Sequence, residues 1–364
     1  MCMELKELAN LIRVLVMDAV EEARSGHPGM PMGMADVATV LFSKFLKFHP
    51  KDPVWPDRDR LILSAGHGSM LLYALLYLTG YEEITLEEIK NFRQLGAKTA
   101  GHPEYGLAGG IETTTGPLGQ GLGNGVGMAL AERGLRARFG EEIINHKTYV
   151  MVGDGCLMEG ISQEALSFAG HQKLNHLIVL FDDNGITIDG PTTLSTSEDH
   201  LRRFQVCGWA TKAIDGHDMA AIEKALEEAQ GSALPFFIAC KTTIGYGAPT
   251  KAGGAAIHGA PLGPEEIKGA RARLGWTRGP FDIPKASLDP WRRMGERNEP
   301  AYAAWQKRFQ NLGEKRALFE SMAEGGLSEG AKGELKAFCR RIAQEKPKWA
   351  TRQSSQKVLP SSRP

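Results

Sequence analysis

Two β-branched runs, each ending in a glycine-flanked turn that carries oxygen ligands, constrain this chain more than any other feature. Tyr149-Val150-Met151-Val152 leads into Gly153-Asp154-Gly155, and Leu177-Ile178-Val179-Leu180-Phe181 leads into Asp182-Asp183-Asn184-Gly185-Ile186. A helical segment from about Ser162 to Gln172 lies between them, so the pair reads as parallel strands joined by a crossover. Open parallel sheets bind ligands at the carboxyl ends of their strands, which brings both turns to one crevice. A carboxylate, an amide oxygen and backbone carbonyls meet there. Hard oxygen ligands of this kind suit Mg²⁺ gripping a phosphate-bearing ligand. Taken singly, each motif is a common Asp-Gly or Asn-Gly turn. Placed together at two strand ends, they read as a metal–diphosphate site.

The remaining segments extend the alternation. Apolar residues from Leu5 to Val20 keep helical spacing, predicting an amphipathic helix that stops near Ser25-Gly26-His27-Pro28. Arg60–Ser64 reads as a buried strand, Met70–Leu78 as an apolar helix, and Phe236–Cys240 as a further strand. A glycine-rich loop from Leu107 to Gly121 leads into a helix ending near Phe139. Alternating β and α segments predict an α/β fold, a doubly wound parallel sheet with helices on both faces. The run Gly119-x-Gly121-x-Gly123-x-Gly125-x-Gly127 fails the dinucleotide fingerprint, and no P-loop Gly-Lys-Ser/Thr is present. Gly119, Gly123 and Gly127 share one helix face, so close approach of another helix is expected there. From about Trp276 prolines become frequent, and helical periodicity returns over Ala301–Phe319 and Leu327–Gln344. The predicted organisation is a cofactor domain at 1–279, a helical connector at 280–348 and the start of a further domain at 349–364.

Lys+Arg and Asp+Glu both number 43 in the 364 residues. The formal charge is zero, so no broad basic field for nucleic acid is implied. The five cysteines, Cys2, Cys156, Cys207, Cys240 and Cys339, show no Cys-x-x-Cys or zinc spacing. No segment reads as a signal peptide or a membrane span. Together these features predict a cytoplasmic protein with reduced thiols. Of the ten histidines, His27, His67, His102 and His258 sit beside glycine or proline in loops, where functional side chains concentrate. His49, His146, His171, His176, His200 and His217 read as ordinary core or surface residues.

The motif Gly153–Ser162 with Asn184–Gly190 resembles the thiamine diphosphate motif of the transketolase family. So do Ser25–Gly29, Ser64–Gly68, Gly101–Glu104, Gly116–Gly121 and His258–Gly263, in family order, with the likeness running to about Gln356. This resemblance implies a thiamine diphosphate enzyme with Mg²⁺ or another divalent ion, moving a two-carbon ketol unit between sugar phosphates. Asp154, Asn184 and the Ile186 carbonyl would hold the metal, and Gly155, Asn184, His67 and His258 would meet the diphosphate. Gly116 and Leu118 match positions against the cofactor rings. His27, His102 and His258 would line the sugar channel, His27 and His258 also stabilising or moving protons. Arg352 matches a substrate-phosphate arginine. Glu159 and Glu164, spaced for one helix face, match acids toward a dimer interface, and Lys241 a local anchor.

The likeness covers the amino-terminal half of a full-length family member. The ending Pro360–Pro364 precedes the pyrimidine-binding domain, so a truncated or split chain is the expectation, working as a homodimer or with a pyrimidine-domain partner. Two alternatives stay open. One is a catalytically silent cofactor-binding module, and the other is a dihydroxyacetone synthase-like enzyme.

Overall fold

The computed structural model describes residues 4–323, 325 and 327–359. Cys2 and the ending Pro360–Pro364, both used above, lie outside the described residues. Five strands form one sheet in the order β1-β2-β3-β5-β4, every neighbouring pair parallel. They are β1 (Arg60–Leu63), β2 (Thr148–Val152), β3 (Leu177–Asp183), β4 (Ala210–Asp215) and β5 (Phe236–Lys241). β2 is buried throughout and β3 through Asp182, as a sheet covered on both faces requires. The alternation of strand and helix predicted this architecture.

β4 was not foreseen. Its sequence, Ala-Thr-Lys-Ala-Ile-Asp, is half-buried or exposed at every position, so it carries no apolar run. An edge strand needs only one neighbour and tolerates such polarity. The Leu5–Ala23 helix also departs from expectation, because every residue from Leu11 to Val20 is buried. It is a central helix and not an amphipathic surface one. Its two enclosed charges are paired. Arg13, with no exposed surface, donates to Asp36 at 2.6 Å and to the Met32 carbonyl at 2.9 Å, and Asp18 accepts from Arg271. Asp36 also takes Lys6 and His217, both at 2.8 Å, and these donors hold its pKa down near 2 despite burial.

The glycine-rich helix Gln120–Phe139 lies on β1 and β2. A Cβ on Gly121 would come within 2.6 Å of the Ser64 backbone, and one on Gly125 within 2.4 Å of Val150. Close packing is thus achieved mainly through Gly121 and Gly125. Of the expected trio, Gly119 and Gly123 do face the Gly160–Gln172 helix, whereas Gly127 faces open space.

The chain forms two compact units, Met1–Tyr302 and Ala303–Pro364. The helix expected over 301–319 is two helices, Glu299–Gln310 and Lys315–Ala323, parted at Gly313 with φ +63°. Within the second unit Trp305 stacks on Phe309, which meets Phe319 edge-on. No helix among the described residues is long and apolar enough to cross a membrane.

Candidate functional site

Three adjacent strands deliver loops to one edge of the sheet. β1 ends at Leu63, the next amide, that of Ser64, still bonds the Met151 carbonyl at 2.9 Å, and the chain turns through Gly66-His67-Gly68. β2 ends at Val152 and runs straight into the short helix Asp154–Met158. β3 ends at Asp183, and Gly185 at φ +71° bends the chain so that the Ile186 amide donates to Asn184 Oδ1 at 2.9 Å. These loops wall a cleft of about 550 Å³. Among the site residues read from sequence, His27, His67, Gly116, Leu118, Asp154, Gly155, Asn184, Ile186 and His258 all line it.

On the metal side, Asp154 is buried at 8 % exposure, yet its carboxylate accepts no hydrogen bond among the described residues. Asn184 is held from both ends: Nδ2 donates to Asp182 Oδ2 at 2.8 Å, and Oδ1 accepts from Ile186. Asp182 is fully enclosed and also accepts from the Thr242 hydroxyl. Burial raises its pKa to about 7, with the nearby Asp154 carboxylate adding to the rise. No group of three or more His, Cys, Asp or Glu side chains among the described residues could hold a metal. The donors here are instead one carboxylate, one amide oxygen and backbone, a set suited to a hard divalent ion that takes its other ligands from a phosphate. Leu118 lies over Gly155, leaving 2.9 Å to where a Cβ would stand, so a side chain at 155 would close this corner.

Three imidazoles gather in the lining of the same cleft. His27 and His67 meet edge-on at 5.1 Å between centroids, His67 and His258 stack at 5.1 Å, and His27 and His258 meet at 5.7 Å. They come from distant parts of the chain. The Gly29 carbonyl bonds the Gly245 amide at 2.8 Å, tying the His27 segment to the loop that leads to His258. Gly68 lets Met30 approach where a Cβ would stand 2.8 Å from its sulfur, which seats the His67 turn against the same segment. Burial lowers the pKa of His27 to about 4 and of His67 to about 3, with neighbouring imidazoles and Arg93 contributing. His258 is lowered by burial and His102 by burial and Arg93. At neutral pH each is therefore an uncharged ring with one N–H to donate.

His102 is exposed and its ring lies over Gly116, whose φ of +151° favours glycine. Arg352 belongs to the second unit, exposed on the helix Thr351–Val358. Glu159 is not on a helix face. It is the cap of the Gly160–Gln172 helix, with extended backbone, while Glu164 is exposed within that helix. Lys241, at the end of β5, reaches only the exposed edge of Asp183 at 3.5 Å.

Three neighbours of the cleft were not singled out from sequence. Asp182 fixes the Asn184 amide. Arg93 bonds His27 Nδ1 at 3.1 Å. His200, classed above as ordinary, is buried with both ring nitrogens unpartnered and Nε2 3.8 Å from Asp154 Oδ1. No glycine or proline flanks His200, so sequence offered no signal.

Comparison with known proteins agrees with this geometry. The family described as "Transketolase, thiamine diphosphate binding domain" matches residues 5–328. A transketolase of Cereibacter sphaeroides is 55% identical over 352 residues, 97% of this chain and 53% of the relative. The chain thus spans about half the length of the curated relatives it matches. Among solved structures, a transketolase from Leishmania mexicana superposes with a TM-score of 0.91 at 38% identity, covering 99% of this chain and 54% of that one. A Pichia stipitis transketolase in complex with sedoheptulose 7-phosphate does so with 0.86 at 40% identity, covering 91% and 50%. The chain belongs to the transketolase family, through its thiamine diphosphate binding domain.

Proposed function

We propose that this chain supplies the diphosphate-binding half of a transketolase, which moves a two-carbon ketol unit between sugar phosphates. The observation that carries the reading is one cleft lined both by Asp154, Asn184 and Ile186 and by the His27–His67–His258 cluster. When bound, thiamine diphosphate supplies the electron sink for the transfer, chemistry that belongs to the cofactor. The protein's part is to bind, orient and manage protons. Asp154, the Asn184 side-chain oxygen and the Ile186 carbonyl hold Mg²⁺ or a similar divalent ion. The Gly155 amide, at the start of a helix, and the N–H groups of His67 and His258 receive phosphate oxygens. Leu118 and Gly116 shape the ring-binding wall. His27, His102 and His258 read sugar hydroxyls, with His27 and His258 holding or moving protons at substrate oxygens, and Arg352 takes the substrate phosphate. The sedoheptulose 7-phosphate bound by the Pichia stipitis relative supports sugar phosphates as the substrate class.

Assembly as a homodimer, or with a separate pyrimidine-binding chain, belongs to the same proposal. Exposed Leu130, Ile161 and Phe168, on the two helices beside the cleft loops, support it. A cytoplasmic setting is part of the same proposal, supported by the free thiols at Cys156, Cys207, Cys240 and Cys339.

The test is a coupled assay with xylulose 5-phosphate and ribose 5-phosphate, with and without a separately expressed pyrimidine domain, alongside calorimetry of cofactor binding. Turnover that requires the added domain supports a split transketolase. Binding without turnover in either arm favours a silent module, and an absence of Mg²⁺-dependent binding overturns the reading. A preference for formaldehyde as acceptor would select the dihydroxyacetone synthase-like alternative.

A further inference from the structure

Among the described residues, Arg93 is the one guanidinium that hydrogen-bonds to the histidine cluster. It sits at a turn with φ +62°, its amide bonded to the Thr99 carbonyl at 2.9 Å. Nη1 donates to Ser25 Oγ at 2.8 Å, and Nη2 lies 3.1 Å from His27 Nδ1. No ion pair among those of the described residues involves Arg93, and its Nε is buried without a partner. Gly101, the first residue of the His102 motif, leaves room for it, since a Cβ there would stand 3.2 Å from Nε. Arg93 is half-buried with no carboxylate partner, so the hydration it gives up is offset by its bonds to Ser25 and His27 and by the Phe92 ring beneath it.

A guanidinium has five donors and no acceptor, and it does not deprotonate in proteins. A hydrogen bond between Arg93 Nη2 and His27 Nδ1 can form only if Nδ1 keeps its lone pair. We infer that Arg93 is a positioning residue for His27, holding the Nδ1 lone pair so that the proton resides on Nε2. That nitrogen faces the loop after His258, 3.1 Å from where a Cβ on Gly259 would stand. Ser25 then has a purpose in the Ser25-Gly26-His27 motif, because its hydroxyl anchors the second arm of the same guanidinium. The titratable and charged groups facing His27 are the Arg93 guanidinium and the neutral rings of His258 and His102, with the His67 ring in contact. Burial first and the Arg93 charge second oppose a further proton on the imidazole, so His27 is presented as a neutral donor of fixed tautomer. The catalytic consequence rests on the sugar-facing role proposed above for His27, whereas the tautomer does not.

The experiment is imidazole ¹⁵N NMR on the full chain labelled at histidine, with His27 assigned by its disappearance in His27→Gln. In the wild type near neutral pH, Nδ1 should resonate as an unprotonated nitrogen and Nε2 as a protonated one. Arg93→Met should turn this into a mixture of tautomers and raise the His27 titration midpoint from about 4 toward the ordinary histidine value. Arg93→Lys, which keeps a donor and a charge, should retain the Nε2–H form. A wild-type His27 protonated on Nδ1, or an unchanged tautomer in Arg93→Met, would overturn the inference. Should Arg93→Met not fold, the wild-type and Arg93→Lys spectra still decide it. Calorimetry with thiamine diphosphate and Mg²⁺ on the same samples separates this outcome from failure of the functional proposal, since the tautomer is read without any ligand.

Discussion

The two edges of the central sheet hold similar side chains and treat them differently. At the amino edge, buried carboxylates and histidines are largely cross-bonded. Asp59, just before β1, accepts the Lys47 and Lys147 amides at 2.8 and 2.7 Å, and Asp57 accepts the Asn145 amide at 2.6 Å and Lys47 Nζ at 2.7 Å. His176, just before β3, lies 3.1 Å from Glu132 and 3.0 Å from Arg136. Glu132 Oε1, His146 Nδ1 and Thr148 Oγ1 are exceptions without hydrogen-bond partners, Glu132 being held instead by the charge contacts with His176 and Arg136. At the carboxyl edge, both nitrogens of His200 lack hydrogen-bond partners, the Asp154 carboxylate meets the His200 ring at 3.8 Å, beyond hydrogen-bond reach, and three imidazoles face one another. A buried polar group left unpaired costs on the order of 1–3 kcal/mol. The amino edge is therefore built to hold the sheet, and the carboxyl edge carries unfilled bonding capacity for something that binds.

The strongest way to break that contrast is Asp154→Ala. It should abolish Mg²⁺-dependent thiamine diphosphate binding in calorimetry while leaving the urea midpoint nearly unchanged, because the carboxylate has no hydrogen bond to lose. Unchanged affinity would remove Asp154 from the site. Asp59→Ala is the mirror experiment. It orphans two part-buried backbone N–H groups and should cost up to about 4 kcal/mol of stability, taking each orphan near the middle of its range. Cofactor affinity measured on the folded fraction should not move, and a loss of affinity would show that the two edges are coupled.

Smaller effects separate the histidines. His67→Ala and His258→Ala should each weaken cofactor binding by about ten- to a hundredfold, the equivalent of roughly 1.5–3 kcal/mol for a hydrogen bond to a charged group. His146→Ala empties a place at the other edge and should leave affinity alone. If all three behave alike, the cluster has no special claim on phosphate. The mildest test is pH. His27 and His67 titrate near 4 and 3 in the folded chain, against an ordinary 6.5. Above pH 6.5 neither state is protonated and these groups contribute no slope. From pH 6.5 downward the unfolded chain takes up protons that the folded rings refuse, so stability falls until the folded values are reached. Urea midpoints between pH 7 and 4 should decline less steeply in His67→Gln, and an identical decline would show that the ring is not sequestered.

What sequence disclosed at this site follows from how each residue is held. His27, His67 and His258 are flanked by glycine or proline because tight loops place them, and those flanks are visible in one dimension. Asp154 and Asn184 stand at strand ends, where apolar runs announce them. His200 and Arg93 gained their relevance through packing between segments far apart in the chain, and Asp182 through its burial beside Asn184. Arg93, for instance, meets His27 across 66 positions. The fold divides the same way. Buried strands β2 and β3 were legible from their β-branched runs, whereas the edge strand β4 was not, because an edge needs little apolar content. The break at Gly313 depends on a left-handed backbone at a residue that helical periodicity alone treats as tolerable.

The seating of the Gln120–Phe139 helix has a further consequence. With no room for a methyl at Gly121 or Gly125, the sheet acts as a gauge that fixes how far the helix stands off. Its first residue follows directly on Gly116-Pro117-Leu118-Gly119, so any shim inserted under the helix is delivered as displacement to the wall that Leu118 and Gly116 form. Alanine at position 125 touches no ligand, yet it would be read out as a change in the cleft's calibre.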